Sequence, residues 1–498
     1  MLRAFAACWT AAFTLMLAPV PAAASATRSP SAVQPGVDRS AFGAQSVWPG
    51  SSDLMTILER MEHGGIRWAR FDLCWWGLAE YSPGQFNFVN PPDWPSWNTD
   101  AAIDAMRARG IEPFPILCYG NRFYDNNQGP FSDSGRAAFA EYCYQAALRY
   151  RDKVTVWEVW NEPNQEFFWG RPPDPADYAR LVIAAAPRIR EANPDAVVVG
   201  GATSGVDLAF LRTAFDYGLL DAVDVISVHP YRIAPPESAD AELAALRDEI
   251  ARRTSRPIAV WSGEWGYNTW WSEVTPLGQA KCLSRMMINN YSQGIGLSIW
   301  FSTHAFVEAS GDAHDPEWGL LDYDYNPRPS FFAMQTLNAR LPAPLRPVAD
   351  PFQTVISPLW SGTRSAFFER GDPGHVTLAV WLARWPLSDS FGGRTTSISL
   401  AVAEQTAIRA FSSLNSEPVP LDITRQADRF VLRNFQIMDY PILIEIEAAA
   451  GPLVPRQDIV EHVLERAALP PALEPFADYN ANEKIEVGDV ILAPETVY

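Results

Sequence analysis

The chain has 498 residues, 42 of them Pro, 30 Gly and 19 Trp, and a formal charge of −19. That length exceeds one ordinary domain and suits one large domain with one or two small ones, while 48% apolar and 19% charged residues describe a chain with a sizeable core. The acidic balance argues against nucleic acid as a partner, because sequence-independent binding needs basic side chains on phosphates, and against an anionic membrane surface.

The first elements read as an export signal over residues 1–26. Arg3 supplies a positive start, Ala4–Leu17 is an apolar run, and Ala24-Ser25-Ala26 is an A-x-A cleavage pattern. The run is short for a membrane span, and no other stretch has the length for one, so a secreted, extracellular or periplasmic chain with no membrane span is expected. Cys74, Cys118, Cys143 and Cys282 would remain after cleavage; they lack C-x-x-C spacing, which argues against a zinc cluster, and their pairing is not readable.

Residues 41–341 alternate short apolar runs with amphipathic segments. Eight runs are strand candidates: Phe42–Gln45, Ile66–Leu73, Ile111–Tyr119, Val154–Glu162, Ala196–Gly201, Val225–Tyr231, Ile258–Trp265 and Gly296–Ser302. Gly65, Gly110, Gly218 and Gly294 stand where C-terminal helix caps should. This alternation predicts an α/β fold, a (β/α)8 TIM barrel, with a doubly wound sheet as competitor; no G-x-G-x-x-G or G-x-x-x-x-G-K-[ST] supports a nucleotide-binding version of the latter.

In such a barrel, chemistry gathers at the C-terminal ends of the strands. Strand four ends in Glu158-Val159-Trp160-Asn161-Glu162-Pro163-Asn164 and strand seven in Ser262-Gly263-Glu264-Trp265. Two carboxylates facing each other across a cleft suit glycoside hydrolysis, which needs one protonated acid and one ionised group. Strand two brings Arg70, which can hold a carboxylate ionised, followed by Trp75 and Trp76. Strand six brings His229 and Tyr231, the latter placed to donate to the same carboxylate. Asn161 suits a sugar hydroxyl, and Trp265 and Trp300 suit sugar contact, because pyranose C–H groups lie against aromatic faces. Glu158 is expected to partner a buried Arg rather than to catalyse.

Residues 342–450 read as seven short strands, a small antiparallel β-sandwich. Residues 451–498 form a short acidic tail with nine acidic and three basic residues. Within it, Asp478, Asn480, Asn482, Glu486 and Asp489 fall at positions 1, 3, 5, 9 and 12 of a calcium loop. The segment resembles half of a dockerin repeat, which implies calcium and a cohesin-like partner; Glu483 stands where Gly is expected and no second copy follows, so an acidic solvated tail stays open as the other reading.

The run Trp160-Asn161-Glu162-Pro163, with the Glu of strand seven, resembles glycoside hydrolase clan A. The longer run Glu158–Asn164, Phe168-Trp169, Tyr178, His229-Pro230-Tyr231 and Asp315–Leu321 resemble family 39 and its neighbours in family 5. The resemblance spans roughly 42–341. It implies Glu162 as general acid/base and Glu264 as nucleophile of a retaining β-glycosidase, a carbohydrate substrate and no cofactor for catalysis. Ser262-Gly263-Glu264-Trp265 departs slightly from the usual strand-seven run. A non-catalytic carbohydrate-binding protein and a transglycosylase on the same barrel remain as alternatives.

Overall fold

The computed structural model describes residues 40–447, apart from 46–48, 77–78, 93, 270–273, 306–316, 372–373, 386, 404–405 and 427–428. The export signal and the calcium-loop candidates Asp478, Asn480, Asn482, Glu486 and Asp489 lie outside the described residues.

Eight parallel strands close into a barrel: β1 (Phe42–Gln45), β2 (Trp68–Cys74), β3 (Glu112–Cys118), β4 (Val156–Val159), β5 (Val197–Ser204), β6 (Val225–His229), β7 (Ala259–Trp265) and β8 (Ser298–Trp300). Closure comes from β1 pairing with both β2 and β8. Helices α1 (Leu54–His63), α2 (Thr99–Ala108), α3 (Asp133–Tyr150), α4 (Pro175–Ala192), α5 (Leu208–Asp216), α6 (Asp240–Arg253), α7 (Pro276–Ser292) and α8 (Pro329–Arg340) follow the strands in turn. Their starts are written locally. Asp174 accepts from the Ala176 and Asp177 amides ahead of Pro175, and Thr275 caps α7 in the same way ahead of Pro276. The turns Gly110 and Gly294 hold φ of 66° and 82°, a region that costs an L-residue strain.

Alternation along each strand sorts the barrel into layers. Trp68, Phe114, Val156, Val199, Val225, Ala259, Trp261, Leu297 and Ile299 form an apolar floor inside the barrel. Two residues further along β2, the same inward face carries Arg70.

Beyond the barrel, the described residues form the expected antiparallel sandwich, built of nine strands in two sheets where the sequence reading counted seven. Strands β9 (Leu345–Val348), β11 (Thr363–Arg370), β12 (His375–Leu382), β17 (Ile442–Glu447) and β14 (Ala407–Ser412) form one sheet in that order; β10 (Val355–Ser357), β13 (Arg394–Ala401), β16 (Arg429–Ile437) and β15 (Asp422–Gln426) form the other. The core between them is apolar, from Leu378, Ile398, Leu432 and Ile444 among others. The two strands that sequence reading missed, β9 and β15, are sheet edges. Pro347 in the one and the polar run Asp422-Ile423-Thr424-Arg425-Gln426 in the other suit an edge, where a charged or proline-bearing strand resists further pairing, and hide the strand signal. No helix among the described residues is long and apolar enough to cross a membrane.

Candidate active site

Arg70 is fully buried at the centre of the barrel mouth and gathers the strand ends around it. Its Nε donates to Glu158 Oε2 at 2.6 Å. Its Nη1 donates to Glu264 Oε2 at 2.7 Å and to Gln45 Oε1 at 2.5 Å, and its Nη2 donates to Asn161 Oδ1 at 2.9 Å. Nη2 also lies 3.3 Å from His229 Nε2. A guanidinium has no acceptor, so Nε2 must be the accepting nitrogen and the ring proton sits on Nδ1. That proton points to Glu162 Oε1, 3.0 Å away. Burial, and then the charge of Arg70, holds His229 well below its usual range, so the ring is neutral and donates only once.

The two candidate carboxylates therefore differ. Glu162 is pushed well above the ordinary range by burial, then by the charge of Glu264; Arg70 offsets this only in part. Burial also raises Glu264, but Arg70, the Tyr231 hydroxyl at 2.8 Å and Gln45 all favour its ionised form. The first proton of the pair leaves Glu264, and Glu162 keeps its own. Their nearest oxygens, with a ring nitrogen of His229, lie within 4.8 Å of one another.

Local backbone irregularity puts both groups there. On β7 the register with β8 shifts between Ser262 and Trp265, so three residues of one strand advance while two of the other do. This bulge turns Glu264 into the cleft, out of the simple alternation that would face it away from Trp261. Gly263 lets the neighbouring strand come close at the bulge: a Cβ there would stand 2.1 Å from Ser227 Oγ. After β4, Trp160 and Glu162 hold φ of 71° and 45°, and the Glu162 amide donates to Ala202 O at a second bulge. Strain of this kind persists only where surroundings fix it; here Asn164 ties the turn to Ser204 and Asp207 through three hydrogen bonds.

The structure thus brings together Arg70, Asn161, Glu162, His229, Tyr231 and Glu264. It does not bring Trp75, Trp265 and Trp300 to a sugar face, which corrects the sequence expectation. Trp75 is wholly buried, stacked against Tyr124 and Tyr142 with Phe139 at its edge, and its indole N–H donates to Glu80. Trp265 is covered by Tyr267 and the Arg232 guanidinium, and Trp300 donates to Trp318 O from a fully buried position. Trp76 is half-buried and meets the exposed Trp94 edge to face at 6.1 Å, on the rim.

Sequence reading missed Gln45, Phe301 and Trp318. Gln45 carried one signal, its place at the end of the first run. Phe301 and Trp318 are half-buried, 5.6 Å apart, and Trp318 lies 5.5 Å from Tyr231; this pair, rather than Trp300, offers an aromatic wall next to Glu264. Asp72, also half-buried on β2, is pushed up to about 6, mainly by burial and against the pull of Arg70.

The model of the cellulase family, glycosyl hydrolase family 5, matches residues 40–302, more than half of the chain. No curated protein matches in sequence. Among solved structures, the chain is similar to a family 39 glycoside hydrolase from the gut symbiont Bacteroides cellulosilyticus WH2, at 20% identity and a TM-score of 0.63, over 82% of this chain and 81% of that one. A monomeric beta-xylosidase from Caulobacter crescentus CB15 matches at 16% identity and 0.57, over 84% and 98%. The catalytic domain of xylanase C, a family 30 enzyme from Talaromyces cellulolyticus, matches at 13% and 0.55, over 84% and 99%. At these identities the structural likenesses speak for the fold.

Proposed function

Because the chain belongs to the cellulase family, glycosyl hydrolase family 5, and is an O-glycosyl hydrolase acting on carbohydrate without a catalytic cofactor, we propose that it is a retaining β-glycosidase that cleaves a β-linked polysaccharide or oligosaccharide by double displacement. One observation carries this reading: the nearest oxygens of Glu162 and Glu264 lie within 4.8 Å. Retaining enzymes hold their carboxyl groups about 5–5.5 Å apart, and inverting enzymes about 6.5–9.5 Å, to leave room for a water.

In the first step the ionised Glu264 attacks the anomeric carbon. The bond to the leaving oxygen breaks as Glu162 delivers its proton there, and a glycosyl-enzyme remains. In the second step Glu162, now a carboxylate, takes a proton from water as that water attacks the same carbon and releases Glu264. His229 engages Oε1 of Glu162, which leaves Oε2 to carry the moving proton. Asn161 spends its Oδ1 on Arg70, which leaves its amide N–H groups for a sugar hydroxyl. Phe301 and Trp318 suit the C–H face of the ring. The rim pair Trp76 and Trp94 suits a further sugar unit.

The test is a panel of β-linked polysaccharides and aryl β-glycosides, with proton NMR of the first-formed product. A β-anomer is expected. An α-anomer first, or hydrolysis that survives Glu264→Ala, overturns the mechanism; binding without hydrolysis in the parent chain returns it to a carbohydrate-binding role. We also propose that the chain is exported and cleaved near Ala26, on the strength of residues 4–26. N-terminal sequencing of the secreted protein checks this, and a retained residue 1 overturns it.

A further inference from the structure

Two sets of ligand-type side chains lie close enough, among the described residues, to share one ion. One is Glu162, His229 and Glu264, the catalytic centre itself. The other is Asp72, Cys74 and Cys118, and nothing in the glycosidase reading uses the two sulfurs. Strand β2 presents Arg70, Asp72 and Cys74 on one face, so the set stands directly above Arg70 toward the solvent. Cys118, at the end of β3, is the in-register partner of Cys74. A carboxylate oxygen of Asp72 and the Sγ atoms of Cys74 and Cys118 all lie within 4.8 Å of one another. Both cysteines are free and buried, while Asp72 is half-buried and faces the cleft, which supplies an entry path.

We propose that Asp72, Cys74 and Cys118 form a three-ligand site for a thiophilic divalent cation such as zinc or cadmium, and that its occupation blocks the cleft beside Arg70 and Glu264. Zinc takes thiolate at about 2.3 Å and carboxylate at about 2.0–2.2 Å, so tetrahedral ligand atoms sit roughly 3.5–3.8 Å apart. The three atoms already lie within 4.8 Å of one another, no more than about 1.3 Å beyond that spacing. Two sulfurs and one carboxylate favour zinc or cadmium over magnesium and calcium, which take oxygen ligands. Three protein ligands leave a fourth position open to water, on the cleft side. Tyr119 reaches Asp72 Oδ2 with its hydroxyl at 3.4 Å, the kind of outer contact that orients a metal-binding carboxylate. On binding, each thiol loses its proton to solvent and the ion gains two thiolates and one carboxylate; no oxidant or reductant takes part. The ion then occupies space that a sugar next to Glu264 must cross. Inhibition rests on the proposed glycosidase reading, whereas binding does not.

The test uses the full chain, reduced and freed of reductant, titrated with cadmium and followed by thiolate-to-cadmium absorption in the ultraviolet. Saturation at one equivalent is expected. Cys74→Ser and Cys118→Ser should each weaken binding by more than about 100-fold, and Tyr119→Phe by about 10–100-fold, the usual cost of an outer contact. Zinc should raise KM of the parent at constant kcat and leave Cys74→Ser unaffected, its metal-free turnover retained. Absence of the absorption at millimolar cadmium overturns the proposal. So does absorption that both serine variants retain, which would place the sulfur at Cys8, Cys143 or Cys282, and so does a Cys74–Cys118 disulfide in the purified chain. If a serine variant does not fold, Asp72→Asn carries the same comparison. The absorption needs no turnover, so an inactive chain that binds cadmium through these sulfurs supports the site while removing the glycosidase reading.

Discussion

Two regions of this molecule bury an arginine beside glutamate, and they use it differently. At the seam between barrel and sandwich, Arg285 of α7 grips Glu237 through Nε at 2.9 Å and Nη2 at 2.6 Å, and spends Nη1 on Arg384 O. Trp381 of β12 adds its indole N–H to the same carboxylate. Although burial raises Glu237, the arginine outweighs it, and the group falls below its usual range. Lys281, one turn earlier on α7, pairs with the buried Asp439 at 2.9 Å. At the barrel mouth, Arg70 is divided among Glu158, Gln45, Glu264, Asn161 and His229, and no carboxylate owns it. Burial there is opposed only in part, so Glu162 stays protonated and Glu264 is the group that ionises. A guanidinium given to one carboxylate makes a clamp; a guanidinium shared between several sets a difference in proton affinity.

This contrast predicts that mouth variants lose turnover at unchanged stability and seam variants the reverse. The largest effect is Glu264→Gln, which should lower kcat by about 10⁴-fold or more, because the covalent step is gone. Its thermal midpoint should match the parent; a large fall in Tm would mean that Glu264 is structural. Glu162→Gln should cost about 10²–10⁴-fold on substrates with poor leaving groups, and much less on activated aryl glycosides, whose leaving oxygen needs no proton. The alkaline limb of the pH profile should vanish with it, since loss of that proton ends activity in the parent. Equal losses on both substrate types would remove Glu162 from the acid role.

Arg285→Met should destabilise by about 3–5 kcal/mol, the cost of leaving Glu237 buried and unpaired, as read in denaturant unfolding, with kcat/KM against pH unmoved. Tyr231→Phe removes a donor from ionised Glu264. The carboxyl then ionises at higher pH, and the acid limb should move upward by about one unit, a shift worth about 1.4 kcal/mol. A downward shift would contradict the hydrogen bond from Tyr231 to Glu264. The smallest expected change is Trp381→Phe, about 1–2 kcal/mol of stability for one lost donor to a buried carboxylate, with the pH profile intact.

Much of the mouth was legible because strand ends carry their chemistry in short, contiguous runs. The pairs Asn161-Glu162 and His229-Tyr231, with Arg70, needed only the assumption of a barrel to become one site. The tryptophans were not legible. Trp75, Trp265 and Trp300 sit next to site residues in sequence, but their rings fill the layers between strands, helices and loops, and a sequence does not say which face of a strand end a ring takes once alternation breaks. Glu264 shows the same limit in the other direction. Regular alternation along β7 from Trp261 would face it away from the cleft, and only the bulge at Gly263 turns it inward. The edge strands β9 and β15 were missed because an edge tolerates proline and charge that a central strand does not.

Most of the tryptophans at strand ends belong to the core, and the half-buried Trp76 and Trp318 remain as candidates for sugar. What the sequence determined by itself was the order of strands and helices, through apolar periodicity, and the chemical types at each strand end. Tertiary structure alone decided which carboxylate holds its proton, because that depends on how one arginine is shared among five side chains from four other strand ends far apart in the chain. It also decided which thiols meet, because the register of β2 against β3 sets Cys74 beside Cys118, and no local pattern encodes a register between segments joined through a helix.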